Sequence, residues 1–142
     1  YELDATAMSG EEKEAVREHV RIYKEIRTLV MSGDFYRLLN PFDGNEAAWM
    51  FVGEDRSEAV VFYFRVLAEA NAPLRQLRLK GLDPDADYRL EALDGLQETD
   101  PAPGVYGGDH LMYAGMHVDV GSGFYQMATG DYKSRLWRLI RV

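Results

Sequence analysis

Cysteine is absent from the 142-residue chain, which removes disulfide staples, thiolate metal ligation and thiol nucleophiles together. Missing too are G-x-G-x-x-G, the P-loop, G-x-S-x-G and H-E-x-x-H. No motif is left to bind a dinucleotide or phosphate, to present a serine nucleophile or to hold catalytic zinc, so no cofactor is expected. No apolar run approaches the roughly 20 residues that cross a bilayer. No charged-then-apolar leader opens the sequence. The expectation is a cytoplasmic protein without a membrane partner. Basic residues are short of acidic ones, 16 Lys and Arg against 24 Asp and Glu for a net charge of −8, which disfavours nucleic acid. Lys133, Arg135, Arg138 and Arg141 gather near the C-terminus, but their spacing along an alternating strand reads as a solvated face paired with acidic neighbours. His19, His110 and His117 are too scattered for a metal signature.

What is present organises itself around Glu46 to Ala68. The two apolar runs there flank the polar turn Gly53-Glu54-Asp55-Arg56-Ser57-Glu58. From Ala59 to Leu67 both alternating sets are mostly apolar and rich in β-branched and aromatic residues. Such a strand belongs at the centre of a sheet covered on both sides, paired as a hairpin with Ala48 to Val52.

Upstream, Ser9-Gly10-Glu11-Glu12 has the Ser-x-x-Glu spacing of a capping box, and Gly33 is expected to stop the helix in the left-handed cap conformation that glycine tolerates. The intervening helix is roughly 33 Å long at 1.5 Å per residue. Val16, Val20, Tyr23, Ile26 and Val30 form an apolar stripe that Ile22 and Leu29 widen onto a second side. A stripe so broad predicts a helix lying between two bodies. After Gly33 the period changes to alternation. Strands are expected at Phe35–Leu39, around Leu74, Leu77 and Leu79, around Tyr88 and Leu90, within Met112–Val120, and from Ser134 to Val142. Gly95 to Gly108 reads as a long loop with one weak strand. The fold predicted is mainly β, an antiparallel Greek-key β-sandwich preceded by one long α-helix.

Candidate chemistry is sparse. Asp83, Asp85 and Asp87 alternate as in a calcium loop, but the glycine and glutamate such a loop needs at its sixth and twelfth places are Tyr88 and Asp94. A capped acidic turn is the better reading, and a weak calcium site stays open. His110, beside Asp109, is the best placed histidine, with a locally bonded turn the favoured account. Among the aromatics, Trp49, Tyr63, Tyr106, Tyr113 and Trp137 offer flat faces with polar tips for a sugar platform, Trp49, Tyr106 and Trp137 being the candidate sugar contacts, although on alternating strands most aromatics are simply core. Acidic pairs for glycoside hydrolysis cannot be picked out by spacing.

Longer matches carry more. Tyr23-Lys24-Glu25-Ile26-Arg27, Gly33-Asp34-Phe35-Tyr36-Arg37-Leu38-Leu39-Asn40-Pro41-Phe42 and Gly44-Asn45-Glu46-Ala47-Ala48-Trp49-Met50 resemble the C-terminal portion of bacterial α-galactosidases of glycoside hydrolase family 36. So do Ser57-Glu58-Ala59-Val60-Val61-Phe62, Leu79-Lys80-Gly81-Leu82-Asp83-Pro84 and Tyr106-Gly107-Gly108-Asp109-His110-Leu111-Met112, although the family more often has Glu where His110 stands. The resemblance covers essentially the whole chain. It implies a parent with an N-terminal β-supersandwich, a (β/α)8 catalytic barrel and a C-terminal antiparallel sandwich. Tyr1-Glu2-Leu3-Asp4 resembles the end of the barrel's last strand, so residues 1–33 would be the remnant of its last strand and helix, and 34–142 the C-terminal domain.

The family's aspartate nucleophile and acid/base lie upstream and match nothing here. The resemblance therefore carries over no catalytic residue. It implies a fragment, inactive alone, of a retaining enzyme that removes terminal α-galactose from oligosaccharides. Its partner would be the parent's barrel, with galactoside met only through that parent. Two other readings stay open: a carbohydrate-binding module, and an interaction domain forming homo-oligomers through the helix stripe.

Overall fold

The computed structural model describes residues 4, 6–69, 76–93, 104–118 and 131–142. Helix α1 (Gly10–Ser32) comes first. Strands β1 (Asp34–Leu39), β2 (Glu46–Val52), β3 (Glu58–Arg65), β4 (Gln76–Leu77), β5 (Asp87–Ala92) and β6 (Gly104–Gly107) follow. A π-helical turn (His110–Ala114) precedes β7 (Met116–His117) and the closing strand β8 (Lys133–Arg141).

Six strands form one antiparallel sheet in the order β1-β2-β3-β8-β5-β6, and β4 pairs with β7 in a small second sheet. The hairpin is in the expected place, with Val52 opposite Ala59 and Glu46 opposite Arg65. β8 enters between β3 and β5, setting Trp137 opposite Val61 on one side and Ala92 on the other. Its return beside β5, after β6 and a strand in the other layer, is the Greek-key connection.

Alternation gives the sheet two different faces. On the inner face Met50, Val61, Tyr63, Tyr88, Trp137 and Leu139 pack under the β4–β7 layer with Leu77, Leu79, Leu82 and Leu111, and these side chains are almost wholly buried. This is the core of the sandwich, where each fully buried aliphatic side chain is worth about 1.5–3 kcal/mol. On the outer face Val60 is covered by Ile22, Ile26 and Leu29 of α1, with Phe51, Phe62, Leu93 and Leu136 around them. β3 is therefore buried on both sides, as its composition requires.

Among the described residues two strands are shorter than their sequences suggest. Leu79 leaves the β4 ladder and gives its amide to the carbonyl of Leu111. Where Met112–Val120 suggested a strand, Asp109 accepts the amide of His110 at 2.6 Å and starts the π-helical turn instead. Gly115, at φ 86°, ends that turn and leaves β7 only two residues. Leu74 and residues 94–103 lie outside the described residues. The weak strand expected within Gly95 to Gly108 is β6.

Candidate functional site

Helix α1 starts where the capping box places it. Ser9 Oγ accepts the Glu12 amide at 3.2 Å, and the Glu12 carboxylate accepts the Ser9 amide at 2.7 Å. That bond from the Ser9 main chain, with the Ser9 side chain adding to it, lowers the Glu12 pKa below its ordinary value. Gly33 closes the helix by donating to the carbonyl of Leu29 at 2.8 Å, but at φ −79° it is extended and not left-handed as expected. Glycine is needed there for the close approach, since a Cβ would lie 2.7 Å from the Leu29 carbonyl oxygen and 2.8 Å from that of Val52.

The helix presents three sides. Ile22, Ile26 and Leu29 rest on the sheet. A second side is charged and solvated, where Arg21 bridges Glu18 and Glu25 and Arg17 meets Glu14 at 2.6 Å. The third, roughly a third of a turn from the sheet-facing side at 3.6 residues per turn, carries Val16, Val20 and Tyr23. Val20 is 44% exposed and Tyr23 57% exposed. This apolar stripe neither packs on the sheet nor joins the ion pairs.

The three candidate sugar contacts are not brought together. Trp49 is half-buried on the outer face of β2, stacked on Phe62 at 5.9 Å and on Phe64 at 5.0 Å. Tyr106 lies at the far edge of the same sheet, half-buried, with its ring stacked on His110 at 6.3 Å. Trp137 is on the inner face of β8 and has no exposed surface, so it has none to offer a ligand. His19 and His117 are exposed and apart.

The acidic turn is held by its own chain. Asp83 accepts the Asp85 amide at 3.1 Å through Oδ1 and meets Arg141 at 3.2 Å through Oδ2. Among the described residues no three acidic or histidine side chains converge to hold a metal. Of the C-terminal cations, Arg138 bonds Glu58 at 2.7 Å on the outer face, as a solvated paired face predicts. Arg135 departs from that reading: it lies one strand position from Ser134 and Leu136 on the other face, and is only 9% exposed.

Sequence reasoning passed over a polar group at the end of the sheet away from the Gly53 turn. Glu46 and Arg65 face each other across β2 and β3, and the Tyr63 hydroxyl donates to Glu46 Oε1 at 2.5 Å. The charged residues bounding an otherwise apolar hairpin were the available signal.

The profile described as glycosyl hydrolase family 36 C-terminal domain matches residues 46–139. The chain is 55% identical over 142 residues to alpha-galactosidase AgaA of Geobacillus stearothermophilus, a match covering 100% of this chain and 17% of that protein. It is 38% identical over 142 residues to alpha-galactosidase 1 of Pediococcus pentosaceus, again covering 100% and 17%. The crystal structure of the Geobacillus AgaA superimposes with a TM-score of 0.83 at 55% identity, covering 100% of this chain and 17% of that one. The chain thus spans about a sixth of the length of the curated relatives it matches.

Proposed function

The chain belongs to the C-terminal domain family of glycosyl hydrolase family 36, and from that premise we propose that it is the non-catalytic covering domain of a retaining α-galactosidase. The parent would hydrolyse terminal non-reducing α-D-galactosyl residues of oligosaccharides, using carboxylates carried upstream. Residues 1–33 would end its catalytic barrel, with α1 as the last barrel helix, and residues 34–142 would brace the barrel from outside.

One observation carries this reading: α1 buries Ile22, Ile26 and Leu29 on the sheet while Val20 and Tyr23 stay exposed on another side, beside a half-buried Val16. A helix seated between two bodies needs both surfaces, whereas a helix ending its own small domain needs one. Self-association through the same stripe is the competing use of that surface, and analytical ultracentrifugation of the chain separates the two. The reading places the protein in the cytoplasm, where a chain without cysteine gives up no disulfide stabilisation.

Incubating the purified chain with a chromogenic α-galactoside tests the non-catalytic part. Release of chromophore at the blank rate is expected. Reproducible turnover that follows the protein through purification overturns it.

A further inference from the structure

The end of the sheet opposite the Gly53 turn holds a cleft of about 260 Å³. Its floor comes from β2 and β3 through Glu46 and Arg65. One wall is Leu38 and Leu39 at the end of β1, and the other is the segment after β3, with Leu67 and Glu69. The 40–45 turn closes the side, held by the Asn45 carbonyl accepting the Val66 amide at 2.8 Å.

This cleft combines fixed and exchangeable polar groups around an apolar wall. Glu46 is fixed, because the buried Tyr63 hydroxyl holds its carboxylate at 2.5 Å, as in a short charge-assisted hydrogen bond. Arg65 lines the cleft while only 7% exposed. Across the mouth the Asn45 amide reaches Glu69 at 3.5 Å, the outer limit of a hydrogen bond. A donor and acceptor held that loosely exchange their contact for a ligand hydroxyl at little cost.

The lining selects a class of ligand. Among the described lining residues Asp43, Glu46 and Glu69 outnumber Arg65, which disfavours phosphates and carboxylates. No metal-holding group of acidic side chains is found among the described residues. The volume falls just below the roughly 300 Å³ at which pockets for drug-sized ligands begin. An organic amine is the other class such a lining admits, but the Arg65 guanidinium opposes it. The Leu38, Leu39 and Leu67 surface favours a small neutral ring with alternating hydroxyl and C–H surface, whose hydroxyls meet carboxylates, amide and guanidinium.

We propose that this cleft, bounded by Asn45, Glu46, Arg65 and Glu69, is a binding site for a single neutral sugar ring. It is separate from the helix stripe and stands whether or not that stripe covers a barrel. The test is a titration of the isotopically labelled 142-residue chain with D-galactose, D-glucose and, separately, spermidine, followed by amide chemical shifts.

Saturable shifts with a sugar, in the millimolar range and centred on residues 45, 46, 65 and 69, are expected. Glu69→Ala, with an otherwise unchanged spectrum, should weaken binding about tenfold, and Glu69→Gln less. Absence of saturable shifts with either sugar overturns the proposal, as do shifts centred elsewhere or a response to spermidine alone. The unsubstituted chain alone decides the location, so the outcome does not depend on the variants folding.

Discussion

The Tyr88 hydroxyl donates to the main-chain carbonyl of Arg56 at 2.9 Å. The same oxygen accepts the amide of Asp83 at 3.0 Å, so one side chain from β5 ties the β2–β3 turn to the turn that leads into its own strand. Arg56 holds a left-handed φ of 56°, and its carbonyl is aimed by that backbone. Tyr88→Phe keeps the ring, which is wholly buried, and removes both bonds. A loss of about 1–3 kcal/mol is expected, read as a lower urea midpoint with an unchanged slope.

The first turn of α1 should be sensitive to acid. Glu12 has its pKa lowered in the folded chain by the hydrogen bond from the Ser9 amide. A depressed carboxylate contributes stability above its unfolded pKa and loses it as pH falls through the folded value. Helix content near the N-terminus should therefore fall on acidification through and below the ordinary glutamate range, followed by the amide shifts of residues 9–12. Ser9→Ala should cost about 1 kcal/mol yet, because the main-chain amide that bonds Glu12 is kept, leave most of that pH dependence in place, whereas Glu12→Gln should remove it.

Glycines at close approaches should be intolerant where open ones are not. A Cβ on Gly108 would lie 2.0 Å from the carbonyl oxygen of Asp83, whereas one on Gly44 would meet nothing within 4 Å. Gly108→Ala should destabilise by about 1–3 kcal/mol or more, as overpacking does. Gly44→Ala should leave the thermal midpoint nearly unchanged.

The two apolar sides of α1 should respond differently in the chain on its own. Ile26 is 5% exposed against the sheet, so Ile26→Ala should cost about 2–5 kcal/mol. Val20→Asp lies on the uncovered side and should change unfolding free energy by no more than about 0.5 kcal/mol. Paired denaturation curves check this contrast.

Local signals made much of the fold legible. Ser9 and Gly33 bound α1 as the capping spacing and the glycine stop indicate, and the hairpin follows from apolar density on both faces of β3. Pairings set by distant parts of the chain were not legible. Nothing near Trp137 tells that β8 inserts between β3 and β5 or which of its faces turns inward, and that choice buries Trp137 and Arg135 while leaving Arg138 to Glu58. The candidate site suffered most. Aromatics on alternating strands look alike in sequence, whereas Trp49, Tyr106 and Trp137 occupy an outer face, a sheet edge and the core. The Glu46–Arg65 end needed the register of the hairpin before its residues could be seen to converge.

The most direct measurement of the covering role is a chimera. The matching segment of the Geobacillus stearothermophilus α-galactosidase, 55% identical over 142 residues, is replaced by this chain, and galactoside turnover and thermal inactivation are followed with Val20 and Tyr23 intact or both changed to Asp. Turnover close to that of the unmodified enzyme is expected with the intact stripe, and marked loss of thermal resistance with the two aspartates, although Val20→Asp leaves the chain alone nearly unaffected. A chimera that melts and turns over identically with either stripe would contradict the account.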